Sequence, residues 1–255
     1  MLNAVGRDIP EEILKATGKE VFQGTHHFDG HEFETASHKV KCVINSNGSK
    51  LVDSIHDVLV KCGIKDGMTL SFHHHFRNGD KVLNMVMEEV HAMGIKNITI
   101  CASSLGGQND PIVYMLDDGT ITNIESSGVR GEIGKAISNG RLQGLAIMRS
   151  HGARSRAIMS GETHIDIAFI GAPTADEYGN LNANGGKADC GVLSYSAVDA
   201  EYADRVVAVT DTLVPFPNLP AQISQVKVDY VVKVDEIGDP TKIATGAAKP
   251  TTNQR

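Results

Sequence analysis

The sequence predicts an α/β domain whose mostly parallel sheet is flanked by helices. Three observations point there: short apolar runs of strand length, helical apolar spacing between them, and glycines where the helical patterns stop. Strand and helix alternate, so crossover connections account for the chain order. With 255 residues, 41% of them hydrophobic, the chain is long enough to bury a sizeable core.

The elements follow in order. Residues 1–50 are polar, contain glycine and hold His26, His27, His31 and His38, a composition suited to an N-terminal arm or peripheral segment. Val52, Ile55, Leu59 and Cys62 then recur at helical spacing, and Gly63 is a natural stop. Residues 68–72 (MTLSF) read as a buried strand, followed by a polar turn from His73 to Gly79. Val82, Val86, Val90 and Met93 mark the buried side of the next helix, capped by Gly94. Residues 97–102 form the second strand, a serine-glycine loop follows, and a short helix begins near Pro111. Further strands are expected at 120–126, 145–150, 165–171, 205–211 and 230–235. From Gly238 the periodicity fades, so the domain is read as 51–237 and residues 238–255 as a linker toward a second half.

Composition excludes several functions. The net charge of −7 is spread over interspersed acidic and basic residues, which leaves no cationic track for nucleic acid. No apolar run approaches the ~20 residues that span a bilayer, and the start MLNAVGRDIPEEIL lacks a basic segment followed by an apolar one. No membrane partner is expected. Cys42, Cys62, Cys101 and Cys190 have no close pairing, which fits a reducing cytoplasm.

In open parallel sheets, ligands bind beyond the carboxyl ends of the strands, so the loops there are the candidates for chemistry. They contain His73, His74, His75, Arg77, Asn78 and Gly79; Ser103, Ser104, Gly106 and Gly107; Ser127, Gly128 and Arg130; and Arg149, His151 and Arg154. If these ends are adjacent, Arg77, Arg130, Arg149 and Arg154 share one rim, and a guanidinium fork matches a carboxylate. Glycines at Gly79, Gly106 and Gly107 would let backbone N–H groups approach an oxygen that gains charge. Consecutive histidines in an extended run alternate in direction and have no acidic companion at ligand spacing, so they suit substrate orientation and no metal is expected. The SSLGG loop lacks both the P-loop lysine and dinucleotide spacing.

The most specific stretch is IDIAFIGAPTADEYGNLNANGG, residues 165–186: a strand containing Asp166, Ala168 and Phe169, an Ala175-Asp176 pair, then Gly179-Asn180. It resembles the AD…GN region of CoA-transferases, whose glycine loop and serine-glycine stretch correspond in order to SFHHHFRNG and ESSGVRGE. Within that superfamily, SFHHHFRNGDKV, ITNIESSGVRGEIGKAIS, RSHGARSRAI and FPNLPAQISQ are similar to the citrate lyase alpha-subunit family. The resemblance implies a CoA-transferase-like fold, shared with sugar-phosphate isomerases and deaminases, and a transferase that exchanges acetate for citrate on a thioester. The thioester would be carried by a phosphopantetheine-type group, or CoA, on an acyl carrier subunit, with a citryl-lyase subunit completing an oligomeric complex. Arg130, Arg149 and Arg154 would then hold citrate. His73, His74 and His75 would orient carboxylates or the thiolate, and backbone N–H groups near Asn78-Gly79 or Gly106-Gly107 would receive the oxyanion. Asp176, Gly179, Asn180, Gly185 and Gly186 would face the prosthetic group. Glu125, Glu132, Glu162 and Glu177 are expected to be structural or solvated. The competing readings are a small-molecule sensor of the same fold and a catalytically incomplete half-subunit.

Overall fold

A computed structural model describes residues 1–22 and 48–243. The chain divides into two units, 1–34 and 35–255. In the first, the described portion holds one helix, α1 (Glu11–Thr17), with acidic residues in its first turn and a left-handed Gly18 at its end. His26, His27, His31, His38 and Cys42 lie outside the described residues.

The second unit is built on β1 (Leu51–Val52), α2 (Ile55–Cys62), β2 (Thr69–Phe72), α3 (Val82–Ala92), β3 (Ile98–Ala102), α4 (Tyr114–Asp117) and β4 (Ile121–Ser126). It continues with α5 (Gly131–Ser138), β5 (Ala146–Met148), α6 (His151–Met159), β6 (Ile167–Gly171), β7 (Thr174–Ala175) and β8 (Leu181–Asn182). The described portion closes with α7 (Ser196–Tyr202), β9 (Arg205–Thr210), β10 (Tyr230–Lys233) and α8 (Pro240–Ile243). Eight strands form one all-parallel sheet in the order β1-β10-β9-β6-β2-β3-β4-β5, and β7 and β8 form a small antiparallel pair.

Seven of the sheet strands stand where the apolar runs place them. The eighth corrects the reading of Val52, which sits in β1 because Ser54 caps α2, its Oγ accepting the Asp57 N–H at 3.0 Å. Two apolar layers cover the sheet, one built around Phe72, Phe76, Leu70 and Met87, the other around Ile170, Leu181 and Val206. Helices α6 and α7 have little amphipathic signature because each turns a charged residue, Arg154 and Asp199, into the interior.

The domain edges differ from the sequence boundaries. Lys50 is buried, and its Nζ donates to the carbonyls of Gln225 and Val228 at 2.5 and 2.7 Å, so it belongs to the sheet domain. Asp80 bridges to Gly238, Asp239 N–H donates to Gly79 O, and Ile243 is buried, so residues 238–243 pack back onto the domain.

The chain runs outward from β2 through β3 and β4 to β5, then returns to β6 on the other side of β2. That reversal opens a crevice at the carboxyl ends of β2 and β6. Phe72 pairs with Ala102, Ala102 with Ser126, and Ser126 with Met148, so the loops after β2, β3, β4 and β5 start level with one another.

Candidate active site

At that crevice lies a cavity of about 660 Å³. One wall is polar: His73, His74, His75 and Arg77 follow β2, Ser103 follows β3, and His151 opens α6. The other wall is the segment 189–195, closed below by Ile243. His74 is held by Ser103, whose Oγ accepts the His74 backbone N–H at 3.0 Å and lies 2.6 Å from ring Nδ1. The Ser103 hydroxyl can donate to Nδ1, the arrangement that places the ring hydrogen on Nε2. The His74 ring stands 5.4 Å from that of His151, which stands 5.0 Å from Tyr195, so three rings form a column along the cavity. Ser127 donates to the Ser103 carbonyl, and its Oγ lies 3.3 Å from His151 Nε2. His75 Nε2 donates to Gly171 O at 2.8 Å across the crevice, and its buried Nδ1 has no hydrogen-bond partner.

His74 and His75 supply dipoles rather than charge. Burial, then the neighbouring His151, His73, Arg77 and Arg130, lower the pKa of His74 to about 4. Burial and His73 lower that of His75 to about 3, against a weaker raising effect from Gly171 O. Both are neutral near pH 7. The exposed Arg77 supplies positive charge to the cavity wall. Cys190 in the far wall is a protonated thiol, pushed up to about 12 by burial and the charge of Asp189.

The expected arginine rim resolves into separate environments. Arg130 is exposed, with Nη2 3.3 Å from Ser104 Oγ, and Ser104 Oγ in turn donates to Gly128 O at 3.2 Å. Arg149 is occupied on both arms, by Glu125 Oε2 at 2.6 Å and Glu162 Oε1 at 2.8 Å. Arg154 is 3% exposed and forks onto Asp199 at 3.0 and 2.7 Å. Both guanidiniums are therefore internal partners of carboxylates, not free groups on the cavity rim.

Two of the proposed oxyanion amides, those of Gly79 and Gly106, are committed within the chain. The Gly79 N–H donates to Phe76 O at 2.9 Å and the Gly106 N–H to Asn109 Oδ1 at 3.1 Å. Gly79 is required sterically, since a Cβ there would lie 2.5 Å from Asp239 O. Asn78 is exposed, and Gly107 begins the 3-10 turn Gly107–Ile112. The AD…GN segment turns inward. Asp176, fully buried, accepts from Tyr178 N, Asn180 N, Asn180 Nδ2 and Asn218 N at 2.7–3.1 Å. Gly179 has φ +95°, and a Cβ would lie 2.9 Å from Val228. Gly185 and Gly186 shape the exit from β8, where Gly186 N–H donates to Asp189 Oδ1. These residues build the hairpin that delivers the wall 189–195; they do not line the cavity.

Tyr195, Asp189 and Asp199 were not singled out in the sequence, and Cys190 was named there only as a cysteine without a close partner. A tyrosine and a cysteine in a polar loop, and an aspartate in a short helix, have no spacing that marks them. Among the described residues one group, His164, Asp166 and Asp204, has metal-ligand composition. It lies at the amino ends of β6 and β9, the edge away from the cavity, and its members pair with one another.

Residues 48–255 match the family model described as "Citrate lyase, alpha subunit (CitF)". The chain belongs to the citrate lyase alpha-subunit family. It is 48% identical over 206 residues to the citrate lyase alpha chain of Haemophilus influenzae and 46% identical to that of Escherichia coli, covering 81% of this chain in each case. It spans about two-fifths of the length of those relatives, 41% and 40%. Among solved structures, the alpha subunit of citrate lyase from Streptococcus mutans in complex with citrate matches with a TM-score of 0.86 at 50% identity, over 98% of this chain and 48% of that one. Glutaconate coenzyme A-transferase from Acidaminococcus fermentans shares the fold, with a TM-score of 0.55 at 13% identity over 76% of this chain and 77% of that one. The citrate lyase alpha-subunit fold is thus a CoA-transferase-type α/β fold. Among the described residues no helix is long and apolar enough to cross a membrane.

Proposed function

We propose that this chain provides the acid-binding part of a citrate CoA-transferase site, where acetate is exchanged for citrate on a carrier-bound thioester. The observation that carries the reading is the crevice cavity, with the neutral imidazoles of His74 and His75 and with Arg77 on one wall, in a chain half identical to a protein solved with citrate. Its volume of about 660 Å³ suits a tricarboxylate beside the end of a pantetheine-type arm. Arg77, and Arg130 at the rim, attract the carboxylates, while the His74 Nε2 hydrogen and His151 orient them. Val192 and Ile243 give the arm an apolar surface.

In the exchange, a citrate carboxylate oxygen attacks the acetyl thioester carbonyl and the thiolate leaves, forming a mixed anhydride. The thiolate then attacks the citryl carbonyl and acetate departs. Each attack places negative charge on a carbonyl oxygen, and a neutral imidazole N–H stabilises that charge without surrendering its proton. The enzyme would act in the cytoplasm with acyl carrier and citryl-lyase subunits. The decisive experiment supplies acetyl thioester and labelled citrate: label in citryl thioester supports the transferase, and citrate bound without transfer supports a binding half-site. No citrate binding and no transfer would overturn both.

A further inference from the structure

Beneath the cavity lies a charged cluster that the exchange reaction does not itself use. The Asp199 carboxylate, 0% exposed, takes the fork of Arg154, accepts the Ser71 hydroxyl and lies 3.1 Å from His73 Nε2. Arg154 adds Ser71 Oγ at 2.8 Å and the Cys101 carbonyl at 3.2 Å. All four side chains are buried. Burial alone would raise the Asp199 pKa, but Arg154 and His73 outweigh it and hold the group ionised, well below the usual carboxylate range.

Three of the four members each sit beside one ring of the cavity column. His73 adjoins His74 on the loop after β2. Arg154 is three residues beyond His151 on α6, and Asp199 is four residues beyond Tyr195 at the head of α7, spacings that put each pair on one helix face. The cluster therefore joins the three elements that carry His74, His151 and Tyr195. A buried ion pair is commonly matched in stability by well-packed apolar residues, so stability alone is a weak reason for its presence. We propose that Asp199 is a positioning residue: through Arg154, Ser71 and His73 it sets the separations of the His74, His151 and Tyr195 rings, and thereby the shape of the acid subsite. This rests on the reading of the cavity as an acid site.

The test is a paired replacement, Arg154→Met with Asp199→Leu, which removes both charges together, beside Ser71→Ala, which keeps the charges and removes one tie. Two readouts are taken on the full chain: citrate affinity by calorimetry, and the ring resonances of His74 and His151 by NMR. The paired variant is expected to melt close to the parent, to shift both histidines and to bind citrate about 10–100-fold more weakly. Unchanged ring resonances in a folded variant would overturn the inference. If the paired variant does not fold, Ser71→Ala decides by the same criterion. If the parent binds no citrate, the acid-site reading fails, and the ring resonances still report whether Asp199 sets the column.

Discussion

His74 owes its chemistry to its surroundings: burial and four cationic or ionisable neighbours move its pKa from 6.5 to about 4, so it offers a hydrogen-bond donor of constant charge across neutral pH. In the proposed acid site its role would thus be geometric, and long-range attraction of the acid would fall to the exposed arginines. Arg149 belongs to a different category. It joins the strand end at Glu125 to Glu162 beyond α6, and Thr163 completes the same carboxylate at 2.7 Å. Replacing it with alanine leaves Glu125 and Glu162 without their shared cation. Arg149→Ala is expected to cost about 1–3 kcal/mol of stability by urea denaturation while leaving citrate affinity within about twofold. A large loss of affinity at unchanged stability would return Arg149 to the acid site.

At the scale of the element, the start of α3 stores a pH dependence. Asp80 is 7% exposed, and burial raises its pKa from 3.8 to about 7, partly offset by backbone hydrogen bonds from Leu83 and Val82. The folded chain thus keeps a proton that the unfolded chain releases first. The associated stability is full below about pH 3.8 and is lost as pH rises toward 7. Asp80→Asn retains an oxygen for the Leu83 N–H and removes the ionisation. Its stability relative to the parent is expected to increase between pH 4 and pH 8 by on the order of 3 kcal/mol, measured from denaturation midpoints. A constant difference would show that Asp80 ionises in place without penalty. The β7–β8 hairpin illustrates the converse, a buried carboxylate so well supplied with N–H donors that it serves as the fastening of a turn.

For the molecule as a whole, the sheet domain extends past its last strand. Ile237 and Ile243 are buried, and α8 packs against the turn that follows β2. A chain ending at residue 237 is expected to be less stable than one ending at 243 by about 1.5–3 kcal/mol for Ile243 alone. Its cavity should also lose shape, since Ile243 is part of the lining. Equal melting temperatures would mean that residues 238–243 rest on the domain without supporting it.

The inner strands were legible because parallel strands buried on both faces are rich in apolar residues, and the exposed edge strand β5 still carries a short apolar run between polar breaks. β1 was not, since two residues beside a helical pattern give no period of their own, nor were α6 and α7, whose inward faces carry Arg154 and Asp199. Of the candidate site, the sequence by itself determined which loops border the cavity: His73 to Arg77, Ser103 and His151 follow strands whose ends must lie level in a parallel sheet. Only the tertiary structure decided which cations remain available. An arginine's role depends on whether a carboxylate from another segment meets it, and Glu125, Glu162 and Asp199 lie 24, 13 and 45 residues from the arginines they occupy. Such pairings are set by packing in space, and no local spacing records them.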